Sequence, residues 1–245
     1  MKKVAILGSG PAGLCCAHTL MNNYDVTIIE TGPDIDDRKD NVTEGLGGAG
    51  AFSDGKFIYE PCVGGTLNEI VGYSTMRDKI KEADILFQEY GAPSDRIKTP
   101  NYSEDFKAKC RQAGFTLRSS SVKHWGTDAG SLIIKSMYEN MKDKVDFRIN
   151  YKYDLDIKNG ICINDEIFDY LVLSVGRSGA WFMDSLYSGI LPHLTGATDV
   201  GIRYECRDDV FSSFYENSYE HKLSMRSSYD EVVRSFCACL KDGYV

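Results

Sequence analysis

Four consecutive apolar residues, Val4-Ala5-Ile6-Leu7, follow Lys2 and Lys3 and stop at Gly8. So short an aliphatic run, closed by glycine, predicts a buried parallel strand over residues 3–7. Leu14, Ala17, Leu20 and Met21 then recur at helical spacing, which predicts a helix from Pro11 to Asn22. Asp25 to Glu30 (DVTIIE) forms a second aliphatic run, so residues 1–30 make one βαβ unit.

Residues 31–66 are rich in Gly and Asp, show no clear period and read as loop. Amphipathic helices are expected over Arg77–Tyr90 and Ser103–Ala113, separated by the loop Gly91-Ala92-Pro93. After the turn-like His124-Trp125-Gly126-Thr127-Asp128, a helix is expected over Ala129–Met141, with Asp128 as its N-cap. Val145–Tyr151 reads as a strand, and Tyr153–Phe168 alternates around Lys158-Asn159-Gly160, a hairpin signal. Tyr170–Val175 (YLVLSV) is an apolar strand ending at Gly176, and a helix over Ala180–Ser188 follows. Gly201–Cys206 and Val232–Leu240 are strand-like, and no internal repeat or low-complexity tract interrupts the chain.

Composition narrows the classes without naming one. The 245 residues are 42% hydrophobic, enough for one large domain or two unequal ones. A net charge of −8 argues against nucleic acid or an anionic membrane as a partner, because phosphates attract basic patches. The eight cysteines, at 15, 16, 62, 110, 162, 206, 237 and 239, are scattered and form no CxxC, so neither a zinc site nor a disulfide framework is expected. Reduced thiols in a cytoplasm fit best. The lysines ahead of Val4–Leu7 imitate a signal peptide, but the apolar run breaks at Gly8. No stretch approaches the ~18 apolar residues of a membrane span.

Gly8-Ser9-Gly10-Pro11-Ala12-Gly13 is a GxGxxG placed between a strand and a helix, with Glu30 closing the next strand. That context converts a common pattern into a dinucleotide-binding signature. Gly8 permits the tight turn, Gly10 lets backbone approach a pyrophosphate, and Gly13 lets the helix pack closely on the strand. The pyrophosphate then meets the free amides and positive dipole end of the helix. Glu30 can accept hydrogen bonds from both adenosine ribose hydroxyls and would repel a 2′-phosphate, which disfavours NADP.

With Pro11 at its centre, this motif is typical of flavoproteins. The loop Gly45-Leu46-Gly47-Gly48-Ala49-Gly50-Ala51-Phe52-Ser53-Asp54-Gly55-Lys56 resembles the FAD loop of a poorly characterised family of FAD-dependent dehydrogenases, within the flavoproteins that have glutathione-reductase-like FAD domains. Weaker matches follow collinearly: Gly91-Ala92-Pro93, His124-x-Gly126-Thr127-Asp128, Leu173 to Ser178, Gly201-Ile202-Arg203-Tyr204-Glu205, and Phe236-Cys237-Ala238-Cys239. The resemblance implies FAD as cofactor, with Gly8, Gly10, Pro11, Ala12, Gly13 and Glu30 in the ADP-binding fingerprint. It implies that Arg38 reaches toward an FAD phosphate, against the alternative of a solvated arginine in an Asp-rich loop. Gly47, Gly48 and Gly50 would bring amides to the phosphates or ring. Lys56 would place charge near the flavin N1–C2=O locus, against the alternative of a surface lysine. Tyr153 matches a position whose backbone meets adenine, and Ser174-Val175-Gly176 the strand-end turn that packs on FAD.

Catalytic residues are less legible. His124 is a candidate proton carrier, against a histidine that merely satisfies turn backbone. Cys237 and Cys239 would share one strand face, as a redox pair or as small core residues. The family continues past this point, whereas here Leu240-Lys241-Asp242 precedes Gly243 and no Gly-Asp dipeptide occurs. The expected architecture is therefore α/β. A Rossmann-like FAD core with a parallel sheet is built from 1–60 and 115–180. Residues 61–114 form a helical insertion, 181–245 a partial and largely antiparallel substrate region, and the C-terminal part of the fold is missing. The expected function is an FAD-dependent oxidoreductase acting on a small-molecule substrate, with a complementing C-terminal chain as a further partner. The alternatives are an inactive flavin-fold fragment or binding partner, and an NAD-binding oxidoreductase.

Overall fold

Strand β1 (Lys3–Leu7) buries Val4, Ala5, Ile6 and Leu7 at 2% exposure or less, which only a strand covered on both faces does. It lies at the centre of a parallel sheet in the computed structural model, which describes residues 1–38, 41–53, 55–63, 65–95, 97–179, 182, 200–207, 209–210 and 221–235, with backbone alone at 127 and 128. The described residues fall into two units. One comprises Met1–Phe57, Ser74–Arg96 and His124–Thr195; the other comprises Ile58–Tyr73, Ile97–Lys123 and Gly196–Val245. The expected insertion at 61–114 is thus divided, because the helix after residue 73 buries Phe87 in the core of the first unit.

In the first unit, α1 (Pro11–Leu20) returns the chain to β2 (Asp25–Ile29), parallel to β1 with Ile6 opposite Ile28. Helix α2 (Tyr73–Glu89) follows, then α3 (Thr127–Met141) and β3 (Val145–Arg148), which pairs β2 in parallel. An antiparallel trio, β4 (Leu155–Asp156), β5 (Ile161–Ile163) and β6 (Glu166–Phe168), leads into β7 (Tyr170–Leu173). Strand β7 returns to pair β1 in parallel, giving the order β7-β1-β2-β3. This is a Rossmann-like domain with a parallel sheet.

Alternation along β1 and β2 assigns the two faces. Val4, Ile6, Val26 and Ile28 meet Leu14 and Ala17 of α1 and Ile133, Ile134, Met137 and Met141 of α3. Each of these large side chains contributes roughly 1.5–3 kcal/mol on burial, which holds α1 and α3 in place where propensity alone would not. Ala5, Leu7 and Ile29 face the other way, against Ile163 and Phe168 of the antiparallel trio. The expected hairpin is that trio, with Asp156 opposite Cys162 across residues 158–160.

Close approach fixes the first turn. Gly8 has φ of +98°, and a Cβ there would lie 2.5 Å from the Ser174 carbonyl oxygen. A Cβ on Gly13 would lie 2.0 Å from the Gly8 carbonyl oxygen, so this glycine sets the distance between α1 and β1.

In the second unit, Ile97–Lys98 pairs antiparallel with Lys123 and Val122. Helix Glu104–Gln112 starts at Ser103, whose hydroxyl accepts from the Phe106 amide at 3.1 Å. Lys222–Arg226 pairs antiparallel with both Thr116–Arg118 and Val232–Arg234.

Three expectations are corrected. Helix α3 begins at Thr127 behind an N-cap at Gly126, so Asp128 lies within the first turn and is not the cap. Residues 201–206 form no strand and are exposed, Ile202 at 93%; the alternation is present but no ladder partner meets it among the described residues. The loop 31–66 contains 3-10 turns at Ile35–Asp37 and Gly48–Phe52 and a strand at Lys56–Ile58. Of the expected helix at 180–188 only residue 182 is among the described residues, and Phe236, Cys237 and Cys239 lie outside them. No helix among the described residues is long and apolar enough to cross a membrane.

Candidate functional site

The end of β1, the start of α1 and the end of β2 converge on a cavity of about 710 Å³ in the first unit, within the size range of ligand pockets. Gly8, Gly10, Pro11 and Ala12 form its floor, and Glu30 closes one side. Gly48, Ala49 and Gly50 line another wall, and Tyr153, Ser174, Val175, Gly176 and Phe182 a third.

Gly10 is the N-cap of α1, with φ of −67° and no side-chain cap over the helix amides. Any residue adopts that backbone geometry. A Cβ built there meets only Gly48 Cα, at 3.9 Å, which is ordinary contact. None of the described residues demands glycine at 10, in contrast to Gly8 and Gly13. The missing side chain leaves space at a helix N-terminus, where a phosphate would use it.

The glycine-rich loop is seated directly on this turn. The Gly47 amide donates to the Ser9 carbonyl at 3.0 Å, and a Cβ on Gly50 would lie 2.3 Å from Pro11 Cγ. Arg38 holds the loop from behind. Its Nη1 donates to the carbonyls of Leu46 at 2.9 Å and Gly48 at 2.7 Å, and Nε donates to Asn41 at 3.1 Å. The guanidinium stands 4.5 Å from the Phe52 ring centre, and the residue is 2% exposed. Burial lowers its pKa, partly offset by the Glu30 charge. Arg38 is therefore not a solvated arginine: Nη1 and Nε hold the loop as a strut, Nη2 is buried without a hydrogen-bond partner among the described residues, and the residue is not in the cavity lining.

Glu30 is 8% exposed and carries its charge on neutral donors. Its Oε2 accepts from the Ser9 amide at 3.0 Å and the Ser9 hydroxyl at 2.7 Å, and its Oε1 from the Gly32 amide at 2.8 Å. The Tyr153 phenol is pushed up by burial and, secondarily, by the Glu30 charge, and its ring meets Phe182 edge-on at 5.9 Å. Ser174 Oγ shares its proton between the Leu7 carbonyl at 2.8 Å and the Gly8 carbonyl at 3.0 Å, which ties the end of β7 to the turn.

Of the residues singled out from sequence, Gly8, Gly10, Pro11, Ala12, Glu30, Gly48, Gly50, Tyr153, Ser174 and Gly176 line one cavity. Gly13 and Gly47 stand behind it as packing and turn positions. Lys56 is half-buried on a short strand outside the lining. His124 ends the strand Val122–His124 and is likewise outside the lining; it does not sit in a turn as expected, because the chain is still extended there. Thr31, Thr43, Glu44, Arg177, Ser178 and Phe182 line the cavity without having been singled out as site residues. Ser178 and Arg177 follow the strand-end turn directly, and that adjacency was the available signal.

Residues 6–42 match the NAD(P)-binding Rossmann-like domain family. The chain is 25% identical over 272 residues to an uncharacterised protein of Clostridium beijerinckii, and the match spans 96% of this chain and 44% of that protein. It thus covers less than half the length of the curated relative it matches. Among solved structures it is similar to L-amino acid deaminase from Proteus vulgaris, at 11% identity and a TM-score of 0.44 over 76% of this chain and 50% of that one. It is also similar to L-proline dehydrogenase from P. horikoshii, at 14% and 0.43 over 77% and 56%. Glycine oxidase from Bacillus cereus follows at 15% and 0.38 over 71% and 55%. The β1–α1–β2 unit is accordingly a Rossmann-like dinucleotide-binding fold, with its glycine turn and Glu30 facing one cavity.

Proposed function

We propose that the cavity holds FAD by its ADP half and that the chain belongs to an FAD-dependent oxidoreductase. The observation that carries this is Gly10: an open position at an uncapped helix N-terminus, where an added Cβ would meet no described atom nearer than Gly48 Cα at 3.9 Å, in the lining of the same cavity as Glu30. A pyrophosphate fits the first feature and an adenosine ribose the second. The apolar wall of Tyr153, Val175 and Phe182 suits an adenine ring. The glycine-rich loop seated against Pro11 of the same turn favours FAD, as in the flavoproteins this sequence resembles. Bound flavin supplies hydride exchange at N5 with a small-molecule substrate. The chain's own contribution is to orient the cofactor, neutralise its phosphates with amides and reject a 2′-phosphate through Glu30.

The match of residues 6–42 to an NAD(P)-binding family favours a second reading, in which the same turn holds NAD. Absorption of the purified chain after FAD addition and gel filtration separates the two. Co-eluting flavin bands support the proposal, with Glu30→Ala weakening FAD by ~1–3 kcal/mol as a charged hydrogen bond is lost. A colourless protein that binds NAD instead would establish the second reading.

A further inference from the structure

We infer that Ser9 restricts Glu30 to a single ribose hydroxyl, which makes Ser9 a specificity-determining residue of the adenosine subsite. This rests on the nucleotide reading above and deepens it. A carboxylate offers about four lone-pair positions, two on each oxygen. On Glu30, Oε2 already accepts both the amide and the hydroxyl of Ser9, and Oε1 accepts the Gly32 amide. Among the described residues this fills three positions and leaves one, on Oε1.

The Ser9 hydroxyl does not readily vacate its place. Ser9 is fully buried, so water cannot replace the bond, and the other acceptor in reach, the Gly45 carbonyl, lies 3.5 Å away. A donor between an anion at 2.7 Å and a neutral carbonyl at 3.5 Å stays on the anion. A ribose presents two vicinal hydroxyls, and Glu30 with one vacancy takes only one of them. Removing the serine hydroxyl opens a position on Oε2, while the amides of residues 9 and 32 still hold the carboxylate in place.

The test is calorimetric titration of the full chain with ADP, 2′-deoxy-ADP and 3′-deoxy-ADP, in wild type and in Ser9→Ala. In wild type, one analogue is expected to bind about tenfold or more weaker than ADP and the other within about threefold, since only one hydroxyl donates to the charge. In Ser9→Ala, both analogues are expected to fall about tenfold below ADP. Comparable losses for both analogues in wild type, or an unchanged asymmetry in Ser9→Ala, would overturn the inference while leaving the nucleotide site intact. If neither hydroxyl matters, or if Gly10→Val binds ADP like wild type, the nucleotide reading itself fails. Should Ser9→Ala not fold, the wild-type comparison decides alone.

Discussion

Arg38 and Ser9 owe their roles to partners that the sequence does not display. Glu30 was legible because a strand-ending acid at a fixed distance from a glycine turn is a local pattern, written within about one βαβ unit. Arg38 sits in an equally suggestive place, yet its guanidinium ends on the carbonyls of Leu46 and Gly48, and only the folded loop puts those carbonyls there. The expectation of a phosphate contact and the observed strut differ in what they predict. Arg38→Met removes the three charged hydrogen bonds to Leu46, Gly48 and Asn41 and should cost ~2–4 kcal/mol in urea unfolding. A direct phosphate ligand would instead lower FAD affinity at unchanged stability, and that outcome would restore the original expectation. Ser9 escaped notice because the variable positions of a fingerprint carry no weight until their side chains have acceptors.

At the scale of elements, the sequence was readable wherever burial imposed a period. Strands β1 and β2 and helix α1 appear within two residues of their expected bounds, because Val4–Leu7 and Val26–Ile29 are buried and Leu14 and Ala17 face them. Strands of two or three residues, such as Ile97–Lys98 and Thr116–Arg118, have no period to detect. Residues 201–206 show the reverse failure, an alternating pattern without a ladder among the described residues. The glycines of the first turn divide along the same line between element and ligand. Gly13→Ala places a methyl 2.0 Å from the Gly8 carbonyl, so α1 must move away from β1. A loss of ~1–3 kcal/mol or more is expected by thermal unfolding, as for other overpacked core positions. A variant as stable as wild type would mean that α1 is not held against β1 as described.

For the whole molecule, the dinucleotide-binding core was legible and the division into units was not, because residues 74–96 rejoin the first unit through contacts distant in sequence. Cys15, Cys16, Cys62, Cys110, Cys162 and Cys206 are free thiols, and burial pushes Cys15 up to about 11. Thiol titration without reductant should therefore count all eight cysteines after denaturation, and in the native protein at pH 8 the exposed Cys62 and Cys206 should react well before Cys15. A count of six, with Cys237 and Cys239 linked, would contradict the expectation and reopen a disulfide mechanism. In the proposed function, the space beside Gly10 serves a cofactor phosphate. That role is tested most directly by titrating FAD into wild type and Gly10→Val while recording both melting temperatures. Gly10→Val is expected to lose FAD binding, while the added side chain costs about 1 kcal/mol or less and shifts melting by roughly 2–4 °C at most. A Gly10→Val protein that binds FAD as tightly as wild type would contradict it.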